Sequence, residues 1–249
     1  MLRHDARMDL EIEGRTAVVT GATSGIGAAV AELLEADGAR VVRVARSEGI
    51  DVTAPDAAER IAERAAGPVD ILVNNAGTSE IKPLDELTDA DYYEAFELNV
   101  MAPLRLMRHF APPMADRGWG RIVNVTSTAG KRPSQTWPAY SVAKAGQHSL
   151  SRLYADFWAD RGVHVNAVAP GPTGTPLWRG PGGLAEQLAA RSGITPEEAI
   201  ERQSGKVPLG RFGEAEEVAA VVAFLCSERA SWVTGAAWSA DGGTWQSML

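Results

Sequence analysis

The chain has 249 residues, 45% hydrophobic and 22% charged, with a formal net charge of −8. That length and apolar content suit one large α/β domain with a sizeable core. Dispersed Lys and Arg on an acidic chain argue against a nucleic-acid partner. A single cysteine, Cys226, excludes an intrachain disulfide. No run approaches the roughly 18 apolar residues of a membrane span, so a cytoplasmic protein with no membrane partner is expected.

Residues 1–10 are charged, lack the apolar core of a signal peptide, and read as a flexible extension to a single domain over 11–249. The apolar run at 16–19 predicts a first strand, and 28–37 a helix. Between them stands TGATSGIG, residues 20–27. A strand is expected at 40–45. Only four residues separate Arg46 from Asp51, whereas a parallel crossover needs about ten to twelve. Any strand near 50–52 is therefore rudimentary. A helix follows at 54–66, a strand at 69–74, and a long helical stretch at 89–117 that Pro103 interrupts. A strand at 120–127, an amphipathic helix at 139–161, a strand at 163–169, a helix at 214–227 and a strand at 235–240 complete the pattern. Strands alternating with helices predict a Rossmann-type doubly wound α/β fold, with a mostly parallel sheet covered by helices on both faces. The excursion at 172–206, with a helical piece at 184–191, reads as a lid over the carboxyl ends of the strands.

Two local patterns carry chemistry. The glycines of TGATSGIG suit either a tight turn or a backbone cradle for phosphate at a helix start. Tyr140 and Lys144 stand four apart on a helix and share a side. A nearby ammonium lowers a phenol pKa and fits tyrosine for general acid–base work; packing of Tyr140 with a solvated Lys144 is the plainer alternative. Ser127 could hold a carbonyl or alcohol oxygen beside them. The four histidines (4, 109, 148 and 164) show no ligand spacing, so no metal is expected.

Taken together, TGATSGIG, the NNAG of 74–77, Asn99 in ELNV, Ser127, the YSVAK of 140–144 and Pro170-Gly171 resemble the short-chain dehydrogenase/reductase family. The resemblance runs over nearly the whole chain. PLGRFGEAEEVAAVVAFLCSE and VTGAAWSADGG are similar to its 3-oxoacyl-thioester reductase-like branch. The resemblance implies a catalytic set of Asn99, Ser127, Tyr140 and Lys144. Tyr140 would move the proton, Ser127 polarise the substrate oxygen, Lys144 lower the Tyr140 pKa and hold the nicotinamide ribose, and Asn99 hold a water linking Lys144 to solvent. Gly21, Thr23, Ser24, Gly25 and Ile26 would wrap a pyrophosphate. Asp51, with Val52 beside it, would meet the adenine, and Asn75, Ala76 and Gly77 the adenosine ribose side. Pro170, Gly171, Thr173 and Thr175 would complete the cofactor site.

NAD-users place an acid at the end of the second strand; NADP-users avoid it and often supply Arg. Here Ala45 takes that place, and Arg46 and Ser47 follow, which predicts NADP(H), with NAD(H) as the alternative. The expected function is interconversion of a ketone and a secondary alcohol; a non-catalytic dinucleotide sensor is the competing class. Trp137 and Trp178 either pack in the core or line a pocket for an apolar substrate. Lys131, Arg132 and Arg179 are the cations near that pocket. The two long helices carry Leu104, Leu106, Met107, Phe110, Leu150, Leu153, Phe157 and Trp158, wider than one stripe, and a homotetramer is expected.

Overall fold

The structure is a computed structural model that describes residues 9–247. Residues 1–8 of the expected extension lie outside it. Leu10, the last residue of that extension, is buried, and its carbonyl accepts from the Glu228 amide at 3.2 Å.

The chain forms β1 (Thr16–Thr20), α1 (Gly25–Ala36), β2 (Arg40–Val44), α2 (Ala57–Ala65), β3 (Ile71–Asn74), α3 (Asp89–Phe96), α4 (Ala102–Asp116), β4 (Gly120–Val125), α5 (Thr128–Lys131), α6 (Pro138–Trp158), β5 (Val163–Pro170), α7 (Pro176–Arg179), α8 (Leu184–Ser192), α9 (Pro196–Ser204), α10 (Ala215–Leu225) and β6 (Ala237–Ala240). The six strands make one parallel sheet in the order β2-β1-β3-β4-β5-β6. Alternate strand residues point to opposite faces. Val18, Leu72, Ile122 and Val165 enter the layer formed with α2, α4 and α6. Val19, Val73, Val123 and Val168 enter the layer formed with α1 and α10. Burial on both faces explains why these strands read as continuous apolar runs.

The connection between Arg46 and Asp51 is a single 3-10 turn, Arg46–Glu48, and no strand forms after it. The helix expected from residue 54 starts later. The Asp51 carboxylate accepts from the Thr53 amide (2.9 Å) and hydroxyl (2.8 Å), and this side-chain turn competes with helix. The stretch 89–117 is α3 and α4 joined by a π turn, Glu97–Met101. Pro103, which has no N–H to give, falls just past that widened turn. The strand expected to reach residue 127 ends at Val125, because Ser127 turns to cap α5: its Oγ accepts from the Ala129 amide at 3.1 Å. The excursion at 172–206 holds three helices rather than one. The third opens on a reciprocal pair, Thr195 with Glu198, a T-x-x-E signature visible in the sequence.

Of the apolar residues on the two long helical stretches, Leu106, Met107, Phe110 and Trp158 belong to the core. Leu153 and Phe157 stay exposed, at 66% and 69%, as do Tyr93 and Phe96 of α3. Among the described residues no helix is long and apolar enough to cross a membrane.

Candidate active site

From β1 the chain moves outward to β2, then returns to β3 on the other side of β1. The loops after β1 and β3 therefore flank the crevice where the winding reverses, which is where ligands of such sheets bind. Thr20 ties the two loops together: its Oγ1 accepts from the amides of Asn75 (2.9 Å) and Ala76 (3.0 Å). Asn75 Nδ2 returns a bond to the Thr20 carbonyl at 2.9 Å. There is no room for side chains here. A Cβ on Gly21 (φ 66) would lie 2.8 Å from Asn75 Nδ2, and one on Gly27 would collide with the Gly21 carbonyl. The Ser24 side chain does not cap α1, and the first turn carries no acid. The first amides of α1 thus face the crevice with the positive end of the helix dipole, a setting that fits a pyrophosphate.

The crevice widens into a cleft of about 1170 Å³. Every residue the resemblance assigned to the cofactor lines it, and so does Ser127. At the end of β2, Arg43 turns back to Glu35 (2.8 Å) and the Ala22 carbonyl (3.2 Å). Arg46 and Ser47 are exposed on the cleft wall. Asn99 does not line the main cleft. It sits in the π turn against a neighbouring cavity of about 80 Å³ shared with Ser79, Trp137 and Tyr140. Its Nδ2 donates to the Ala95 carbonyl at 2.9 Å, and its Oδ1 has no partner among the described residues. A Cβ on Gly77 would stand 3.0 Å from Asn99 Oδ1 and 3.6 Å from Lys144 Nζ, so both atoms lie behind Gly77.

Burial pushes the Tyr140 hydroxyl up to about 12, and the Ser127 side chain offsets part of that rise. Nζ of Lys144 lies 5.5 Å from the Tyr140 ring centroid and donates to the Val125 carbonyl at 2.9 Å. Burial pushes this amine down to about 7. His148, one turn further along α6, has Nε2 at 3.3 Å from the Ser127 carbonyl, and burial pushes it down to about 4.

The other end of the cleft is aromatic. Trp137 and Trp178 meet edge to face at 6.1 Å, and Trp178 meets Phe212 at 5.0 Å. Both tryptophans also line the cleft, so core packing and pocket wall are one role. The sequence reading missed Thr244, Trp245 and Gln246, which line the cleft as well. The Asp-Gly-Gly of 241–243 was the available signal: Asp241 accepts from the amides of Gly243 (3.0 Å) and Trp245 (2.8 Å) and folds this segment back. Of the candidate cations, Lys131 donates to the Ala237 carbonyl and Ser239. Arg179 sits over the Phe212 ring. Arg132 lines the cleft, joined by Lys206 from the end of the 172–206 segment.

A family profile described as Enoyl-(Acyl carrier protein) reductase matches residues 46–244. The chain is 40% identical to a cis-4-hydroxycyclohexanecarboxylate dehydrogenase of Sinomonas cyclohexanicum, over 92% of this chain and 96% of that protein. It is 35% identical to a 3-oxoacyl-(acyl-carrier-protein) reductase of Escherichia coli, over 94% and 98%. The crystal structure of an L-sorbose reductase from Gluconobacter frateurii, complexed with NADPH and L-sorbose, is similar with a TM-score of 0.87 at 32% identity, covering 97% of this chain and all of that one.

Proposed function

The chain belongs to the short-chain dehydrogenase/reductase family, and we propose that within it the chain interconverts a ketone and a secondary alcohol with NADP(H), using Tyr140 for the proton. Family membership makes it an oxidoreductase acting on CH–OH and C=O groups with a nicotinamide cofactor. The observation that carries the finer reading is that Ser127, Tyr140 and Lys144 line one cleft, with Lys144 Nζ 5.5 Å from the Tyr140 ring centroid.

A bound nicotinamide would supply or accept the hydride. Ser127 Oγ already accepts from the Ala129 amide, which leaves its O–H to donate to a substrate oxygen. Burial keeps the Tyr140 hydroxyl protonated at neutral pH, ready to hand its proton to that oxygen during reduction. During oxidation the Tyr140 phenolate takes the proton, and a protonated Lys144 raises the share of phenolate present for that step. Asn99 Oδ1, which lies behind Gly77 as Lys144 Nζ does and has no partner among the described residues, fits an acceptor role in relaying that proton. The amides opening α1 suit the pyrophosphate. Exposed Arg46, with Ala45 in place of an acid, supports a 2′-phosphate.

For the substrate, the Trp137–Trp178 wall, backed by Phe212, suits an apolar or cyclic body, and Arg132 with Lys206 suits an acidic end. The substrate named for the Sinomonas relative has this chemistry. The α8–α9 segment acts as the lid. The exposed face of Tyr93, Phe96, Leu153 and Phe157 supports a homotetramer, working in the cytoplasm.

Parallel titration with NADPH and NADH, followed by turnover of cyclic ketones with and without a carboxylate, tests the reading. NADPH should bind at least about ten-fold tighter, and the keto acid should turn over faster. Tighter NADH binding would remove the role of Arg46. Indifference to the carboxylate would remove that of Arg132 and Lys206.

A further inference from the structure

Directly behind Lys144 lies a polar side chain that the reading above does not use. Gln147, one turn further along α6, is 1% exposed. Its Oε1 accepts from Lys144 Nζ at 2.9 Å. Its Nε2 is buried and has no hydrogen-bond partner among the described residues. An unpaired buried amide is unfavourable, and an apolar side chain of similar size would fill the space without it. What Gln147 contributes must therefore come from its oxygen. The turn of α6 that carries it is also anchored. The Gln147 backbone carbonyl accepts from Ser151 Oγ, which accepts from Asn124 Nδ2, whose Oδ1 accepts from Asn74 Nδ2, each at 2.8 Å. This buried chain runs from α6 through β4 to the end of β3, next to the Asn75 loop.

We propose that Gln147 is a positioning residue for Lys144: its side-chain carbonyl holds one ammonium N–H, keeping Lys144 protonated and directed toward the Gly77 side of the cleft. The inference rests on the reading that Lys144 serves the cofactor and Tyr140. An ammonium has three donors and no acceptor. The Val125 carbonyl takes one and Gln147 Oε1 a second, which leaves the third for the cleft. A hydrogen bond to the charged form favours charge, and burial opposes it. The balance lies near neutral pH, since burial brings the amine down to about 7, so one acceptor decides how much ammonium is present. The titratable groups facing Lys144 are Tyr140 on the same helix and His148 one turn on, with Lys131 acting on His148 from α5. No carboxylate acts on the amine.

The chain has four lysines, at 82, 131, 144 and 206, so 13C labelling at lysine Cε gives a spectrum simple enough to titrate in the full-length protein. Lys144→Met assigns the resonance. In Gln147→Leu the Lys144 midpoint should fall by about one pH unit. In Gln147→Glu, where a carboxylate replaces the amide, it should rise by at least as much. The other lysines should stay where they are. An unchanged Lys144 midpoint in either folded variant overturns the proposal, and if Gln147→Leu does not fold, Gln147→Glu alone decides. The pH profile of kcat/KM should move with the midpoint. A moved midpoint with an unmoved profile supports the Gln147 contact and instead overturns the catalytic reading of Lys144.

Discussion

The two ends of the cleft are built by different means. At the crevice between β1 and β3 the wall is backbone, brought so close that Gly21 and Gly27 have no space for a Cβ. At the other end it is side chain, with Trp137, Trp178 and Trp245 arriving from three separate segments and Phe212 packed against Trp178. A backbone wall changes only if the main chain moves. A side-chain wall can be rebuilt one residue at a time without disturbing the sheet. This division suits a family in which the relatives named above act on a cyclohexane acid, an acyl thioester and a sugar.

Tyr140→Phe, where the two ends meet, should lower kcat by about 100- to 10,000-fold while NADPH binding, followed by fluorescence, is retained; retained turnover would remove Tyr140 from proton transfer. Gly27→Ala strikes the backbone wall. It should weaken NADPH binding and lower stability by about 1–3 kcal/mol, read by fluorescence titration and thermal unfolding. His148, beneath the Ser127 carbonyl, gives a pH signature. The unfolded chain takes up its proton near pH 6.5, whereas the folded chain resists until about 4. Its contribution is therefore full above pH 6.5 and lost as pH falls toward 4, about 3 kcal/mol in all. His148→Gln should flatten that part of the stability profile. Arg46→Ala should weaken NADPH binding by about ten-fold and leave NADH binding unchanged. Trp245→Ala, at the side-chain end, should raise the substrate KM by about five-fold and leave NADPH affinity alone. Equal losses in both affinities would erase the contrast.

The same division explains what could be read in the sequence. TGATSGIG and NNAG are legible because each is a short contiguous segment whose conformation needs its own residue types. The doubly wound sheet is legible because strands buried on both faces give unbroken apolar runs. The aromatic wall was half legible: Trp137 and Trp178 were candidates, but their joining to Phe212 depends on tertiary packing. Trp245 was missed because the Asp241 turn that brings it back lies beyond the last strand. The burial that pushes the Tyr140 hydroxyl up and the Lys144 amine down was not legible, because pattern shows two residues on one helix side but not what packs around them.

The π turn at Glu97–Met101 bears on how such a site is edited. A turn of this kind absorbs one residue beyond the surrounding α-helical repeat while the helix on either side keeps its face. Removing a single residue there should restore a regular helix and leave Leu106, Met107 and Phe110 in the core. What would be lost is the inward placement of Asn99. The placement of Asn99 and the packing of α4 are thus separable by one codon, and an insertion can move a side chain here without the core having to be redesigned.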